Sequence, residues 1–517
     1  MSALHATAQR VFTIGLDMGD GELIRYWSDQ GQLPHFASLL SSGTWVDLES
    51  TAQVLHTSTW PTFATGTLPG RHGVYFPYQP KPGHQLAQHI QPDQYGVPTF
   101  WKMADAQGRA CVVYDVPETF PEAGFQGRAI FDWGTWAWYG RPCACPPSVI
   151  KGMKSRFGRY PLGFEAKRLG AKIPDADVLE KRVLRSIAYK VDTARWLLHQ
   201  DAWRLAVVGF GEPHPAGHYL WPLEADDVAS GDARAFQPLL HVYQALDWAL
   251  GELLDPLPDD TAVMVVSGDG VRPNRCGWYL LPTVLARLGL TCPPASEGAG
   301  LSPSLIGRVK RLVPPGTRRL IADRLPWWIR DYIGAREQAG NIDWSRTRAF
   351  TLPTDLEGCI RINLKGREPE GIVEPGAEYE ALCQELRSEL EALTNPDTGA
   401  AAVRHVWIRN EIFPGARQEH LPDVIVTWND AAPFTTLSSP RIGRVEGETA
   451  DLRPGTHSPY GFLLAGGTGV PPGGHSRGHL ADVAPTILRW LGLELPDGLD
   501  GTPLSLLAPG AESTFQA

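Results

Sequence analysis

His214 and His218 stand four residues apart in GEPHPAGHYLW, a spacing at which two imidazoles can share one cation. Asp17 closes the apolar run VFTIGL, Asp269 lies in SGDGVRPN after a second such run, and His457 lies in GTHSPYG just before a third. Oxygen and nitrogen donors drawn from distant parts of a chain suit a divalent cation, provided rigid elements carry them. Each has an ordinary alternative: a helix cap or turn for the aspartates, a satisfied pair in a loop for the histidines. A fifth stretch, LHTSTWPTFATG, crowds His56, Thr57, Ser58 and Thr59 together. It could hold a nucleophile, or it could be a polar helix start.

The elements that must position these groups alternate short apolar runs with amphipathic segments, the mark of βαβ units. Strands are expected at 11–17, 110–115, 205–211, 262–267, 423–428 and 461–465, all rich in Val, Ile or Leu as strands buried on both faces are. Helices are expected at 183–199, 235–254, 379–393 and 480–491, where apolar residues recur at helical spacing. The fold class this predicts is α/β, a three-layer α/β/α sandwich around a mostly parallel sheet. Open parallel sheets bind ligands beyond the carboxyl ends of their strands, which is where Asp17, His214, His218 and Asp269 fall.

The 517 residues are read as one domain over 1–517, with cap-like insertions near 133–163 and 298–342. The first is aromatic and Pro-rich, and the second is basic and partly helical. A formal net charge of −10 with no Lys/Arg run argues against a nucleic-acid polymer as partner. Seven scattered cysteines argue for free thiols rather than a disulfide framework. No apolar stretch is long enough to span a bilayer, and MSALHATAQR has no apolar signal core, so a cytoplasmic protein without a membrane partner is expected.

Beyond single residues, the chain resembles the alkaline phosphatase superfamily, in its type I phosphodiesterase/nucleotide pyrophosphatase branch. IGLDMGD, LPHFASLLSSGTW, WPTFATGTLPGRHGV, INLKGREPEGIV, LPDVIV, GTHSPYGFLLAGG and ADVAPTILRWLGLELPDGLDGTPL carry the resemblance from one end to the other. It implies an alkaline phosphatase-like fold and a metal-dependent hydrolase of phosphodiester, pyrophosphate or related phosphate bonds, acting on a small phosphate-containing molecule. It also implies two metals and a Ser or Thr nucleophile that attacks phosphorus and forms a covalent intermediate. Two cations would ionise the hydroxyl and neutralise the non-bridging oxygens.

Three departures from the family pattern follow. The Asp of its Asp-x-x-x-His motif is His214 here, so one metal would rest on His214, His218 and His457, a set that suits zinc. Glu212 nearby is a further ligand or a partner to one. Ser267-Gly268-Asp269-Gly270 stands where the family has Ser-Asp-His-Gly, which leaves Asp17 and Asp269 for a second ion, zinc, manganese or magnesium, if one binds. Aligning Trp60 and Thr65-Gly66 puts His56 in the nucleophile slot, with Thr57 one residue on. Thr57 is the preferred nucleophile, and His56 is otherwise a nitrogen nucleophile, a proton donor or a fourth ligand. Lys365 and Arg367 are weaker candidates for an anionic substrate, and Trp133, Trp136 and Trp138 for stacking on a flat group. Another reaction of the superfamily (phosphomonoesterase, sulfatase, phosphonate hydrolase, transferase) and a non-catalytic binding role stay open, as does the oligomeric state.

Overall fold

A computed structural model of the chain describes residues 9–81, 83–90, 95–134, 142–162, 175–223, 225–229, 232–275, 277–294, 342–447 and 452–506. The chain divides into two compact units, Met1–His72 with Pro92–Asn274 and Ala450–Ala517, and Gly73–Gln91 with Arg275–Thr449. Nearly all of the insertion expected at 298–342 lies outside the described residues, as do Trp136 and Trp138 of the one at 133–163.

The first unit is built on a nine-stranded sheet in the order Gly474–His479, Thr44–Glu49, Gly461–Gly467, Thr261–Ser267, Arg10–Leu16, Leu205–Phe210, Cys111–Tyr114, Arg128–Phe131, Cys143–Cys145. From Thr261–Ser267 to Arg128–Phe131 all five strands run parallel. Side chains alternate along each strand, so the sheet buries two faces. Phe12, Ile14 and Leu16 pack with Val183 and Ile187 of the helix Ala176–Leu198 and Leu246 of the helix Gln237–Leu254. Val11 goes the other way, to a cluster with Phe63 of Thr59–Thr65, Trp101 of Phe100–Ala106 and Ile487 of Val483–Trp490. Helices on both faces of a mostly parallel sheet make the three-layer α/β/α sandwich that the sequence predicts.

Two expected strands take other places. The run at 461–465 becomes Gly461–Gly467, antiparallel to both neighbours. The run at 423–428 becomes Val424–Trp428, in the second unit's antiparallel sheet of Ala349–Thr351, Gly358–Ile362, Val424–Trp428 and Val403–Ile408. A short apolar run reads the same in either direction and in either unit, because only its connections set orientation and partner. The helix expected from 183 begins at Ala176, where the Asp175 side chain accepts the Val178 N–H.

Among the described residues, no helix is long and apolar enough to cross a membrane. Cys111, Cys143, Cys145, Cys292, Cys359 and Cys383 are all free thiols.

Candidate active site

The site forms at the carboxyl end of the first unit's parallel strands. Asp17 directly follows Arg10–Leu16. His214 and His218 ride on the helix Pro213–Leu220, which starts three residues after the strand Leu205–Phe210. Asp269 follows Thr261–Ser267, and His457 lies in the short strand Gly455–Ser458, which pairs with Gly270–Pro273 and sets Val271 opposite His457. Glycine is needed at 455, because a Cβ there would lie 2.0 Å from the Gly217 carbonyl oxygen. The bare backbone lets this strand press against the helix and brings the Gly455 carbonyl to His218.

Each of the three rings has its Nδ1 engaged. His214 Nδ1 lies 3.0 Å from Asp17 Oδ2, His218 Nδ1 2.9 Å from the Gly455 oxygen, and His457 Nδ1 2.6 Å from Asp269 Oδ2. All three partners are acceptors, so each Nδ1 carries the proton and each Nε2 keeps a lone pair. The Nε2 atoms of His214 and His218 then face each other at 3.0 Å, a contact of two lone pairs that a cation between them relieves. One ligand atom from each of His214, His218 and His457 lies within 4.8 Å of the others. Carboxylates and carbonyls behind the rings are the usual supports of metal-bound histidines, and the donor set fits a divalent metal.

All five predicted metal residues therefore meet, in two roles. The histidines converge, while Asp17 and Asp269 bond to the backs of two of them. The other oxygen of Asp17 accepts Trp60 Nε1 at 2.8 Å, and that of Asp269 accepts the Met18 N–H at 3.2 Å. Burial acts to raise the Asp17 pKa, but His214 and Trp60 outweigh it and hold the group below the ordinary value. Burial and then the nearby Asp17 charge push Asp269 up to about 7. His218 is driven well below the ordinary histidine value, first by burial and then by Arg453. Gly268 has no room for the carboxylate that the family pattern places there, since a Cβ would lie 2.8 Å from Leu480 and 2.9 Å from Thr59.

His56 and Thr57 lie in a 3-10 turn, His56–Ser58, that runs straight into the helix Thr59–Thr65. Ser58 Oγ donates to the Leu55 carbonyl at 2.7 Å, which gives it a turn-forming role. His56 is buried with its ring centroid 4.5 Å from that of His457, and Thr57 is half-buried beside it. Trp60 fixes the turn over the first strand. Its ring lies where a Cβ on Gly15 would be, 2.8 Å away, and its N–H holds Asp17.

The sequence profile of the type I phosphodiesterase/nucleotide pyrophosphatase family matches residues 11–450. The chain belongs to this family. No curated protein matches it in sequence. Among solved structures, murine ectonucleotide pyrophosphatase/phosphodiesterase 5 is similar at 13% identity and a TM-score of 0.50, covering 97% of this chain and 100% of that one. The same enzyme has been solved as an inactive threonine-to-alanine variant in complex with AMP. Its human counterpart is similar at 11% identity and a TM-score of 0.50, covering 96% of this chain and 97% of that one. At these identities the likeness is one of fold.

For this phosphodiesterase-family chain, the remaining candidates fall elsewhere. Glu212 turns away from the histidines, taking the Tyr160 hydroxyl at 2.6 Å and pairing with Lys190 at 3.7 Å. Lys190 is wholly buried and holds Asp115 at 2.7 Å and the Gly209 carbonyl at 2.8 Å. Burial works against this ammonium, but Asp115 and Glu212 outweigh it and keep its pKa above the ordinary lysine value. Trp133 is buried core, its backbone N–H donating to Asp115 at 2.7 Å. In the second unit, Arg367 is bound to Asp423 and Glu368, and Lys365 pairs with Glu374 at the surface. Both therefore have intramolecular carboxylate partners. Sequence reasoning missed Lys190, Trp60 and Arg453. The signal for Lys190 was legible, since it stands among Ile187, Val191 and Ala194 on a face that is otherwise apolar.

Proposed function

We propose that the chain is a metal-dependent hydrolase of phosphodiester or pyrophosphate bonds, with one divalent metal, zinc by its donor set, on His214, His218 and His457. The observation that carries this is the convergence of three rings, each with Nδ1 engaged by an acceptor and each offering one ligand atom within 4.8 Å of the others. Such a metal supplies Lewis acidity toward a phosphoryl oxygen. Asp17 and Asp269 orient His214 and His457 and lend them basicity. With both carboxylates committed in this way and Gly268 closed to a further one, a second ion has little to hold it.

Thr57 is the nucleophile in this reading, and His56, beside His457, moves the proton of the reacting or leaving oxygen. The murine relative, inactive when a threonine is changed to alanine and solved with AMP, supports a threonine in this role and a nucleotide-like phosphate ester as substrate. The test is a panel of aryl phosphate diesters, monoesters, phosphonates and sulfates with metal content measured in parallel. Diester turnover should lead the panel, fall below detection in His218→Ala together with the metal, and drop by about 10³-fold or more in Thr57→Ala with the metal retained. Unchanged diester turnover in His218→Ala would refute the proposal.

A further inference from the structure

Asp17 divides its two carboxylate oxygens between two parts of the site. Oδ2 lies 3.0 Å from His214 Nδ1, and Oδ1 accepts the indole N–H of Trp60 at 2.8 Å. The backbone of Asp17 is pinned as well: its N–H donates to the Phe210 carbonyl at 2.9 Å, at the end of the strand that leads to the histidine helix. Trp60 is 4% exposed and is constrained in its turn. A Cβ on Gly15 would meet its ring at 2.8 Å, and Phe63 packs edge-on against it with centroids 5.4 Å apart. An indole has one donor and no acceptor, so a ring held by packing aims that donor in a fixed direction.

Thr57 and Trp60 are three residues apart, across the point where the turn His56–Ser58 runs into the helix Thr59–Thr65. The turn's backbone bonds are local: the Ser58 N–H donates to the Leu55 carbonyl at 3.1 Å, and the Thr59 N–H to the His56 carbonyl. Such bonds shape the turn without placing it over the sheet. The Trp60 side chain gives it an anchor there, and the group it grips is the one that backs a metal-binding candidate.

We infer that Trp60 is a positioning residue: through Asp17 and His214 it holds the turn that bears Thr57 in register with the metal, so that nucleophile and metal keep one geometry. The inference rests on the function proposed above. A misplacement of about 1 Å between reacting groups can cost about 10²-fold in rate. A nucleophile and a metal carried by different elements drift apart unless something rigid spans them. Here the span is Trp60–Asp17–His214, two hydrogen bonds that meet on one carboxylate and are strengthened by its charge. Loss of the indole N–H frees Oδ1, lets the carboxylate rotate, and loosens both ends together.

A tryptophan that only fills space would behave differently. Lost packing weakens the fold whatever stands at position 17, whereas the span works only through Asp17. The experiment uses the full-length protein as wild type, Trp60→Phe, Asp17→Ala and the double variant. It measures zinc affinity by chelator competition, melting temperature without metal, and kcat and KM for bis(p-nitrophenyl) phosphate at saturating zinc. Trp60→Phe keeps a ring and removes the N–H. It should weaken zinc binding about fivefold in the wild-type background and by less than about twofold in the Asp17→Ala background. Its kcat should fall about tenfold or more, with KM within about twofold of wild type. Equal losses of zinc affinity in the two backgrounds, or an unchanged kcat, overturn the span and leave Trp60 as packing. If Trp60→Phe does not fold, Asp17→Asn replaces it: one amide oxygen cannot serve both donors, so zinc affinity and kcat should both fall, and two unchanged values overturn the inference. A wild type that binds no zinc and turns over no diester sinks the hydrolase reading itself, and this inference with it.

Discussion

Asp269 and His457 stand 188 residues apart in sequence, yet Asp269 Oδ2 holds His457 Nδ1 at 2.6 Å. A carboxylate behind an imidazole fixes both its tautomer and its direction, so the bond prepares Nε2 for a metal without touching one. Asp269→Asn keeps an acceptor but removes the charge. Zinc affinity in a chelator competition should fall about 10- to 100-fold, with thermal stability of the metal-free protein little changed. An unaltered affinity would assign Asp269 a role unrelated to His457.

Restoring the family's carboxylate at position 268 should fail. In Gly268→Asp the new Cβ meets Leu480 and Thr59 under 3.0 Å, and such overpacking costs about 1–3 kcal/mol. The expected result is a lower melting temperature and no second equivalent of metal by elemental analysis. A stable variant that binds two metals would contradict it.

The buried ammonium of Lys190 joins Asp115, Glu212 and the Gly209 carbonyl just ahead of the helix that carries His214 and His218. Lys190→Met leaves two carboxylates buried without their cation. Denaturant unfolding should show a loss of about 3–5 kcal/mol, as removal of one partner from a buried pair does. Adding Asp115→Asn should recover part of that loss, and a neutral Lys190→Met would show that the network contributes nothing.

His72 is wholly buried, with Nε2 3.2 Å from Thr62 Oγ1, and burial pushes its pKa down to about 3 from 6.5. Between those two values the unfolded chain binds a proton that the folded chain does not, so stability falls as pH drops below about 6.5. Relative to His72→Gln, wild type should lose up to about 1.4 kcal/mol per pH unit between pH 6 and pH 4 in denaturant titrations. Parallel stability curves for the two proteins would place the acid sensitivity elsewhere.

Much of this molecule is legible in one dimension. The buried strands are continuous runs of Val, Ile and Leu that announce themselves, and the metal-competent spacing of His214 and His218 is local. The residues at the carboxyl ends of parallel strands are candidates by position alone, which makes Asp17, His214, His218 and Asp269 nameable before any fold is known, whereas His457, which precedes its apolar run, is nameable from the GTHSPYG stretch and the family resemblance. Tertiary structure decided their roles. Whether a carboxylate faces a cation or the back of an imidazole depends on a few ångströms set by strand register and by glycines such as Gly455, whose missing side chain permits the close approach. The same holds for Arg453, which lies in a proline- and glycine-flanked stretch without periodicity and acquires a meaning only where the chain brings it to His218. Hydrophobic patterning acts over a few residues and is written in the sequence. The direction of a polar side chain is the sum of packing contacts hundreds of residues apart, and only the folded chain performs that sum.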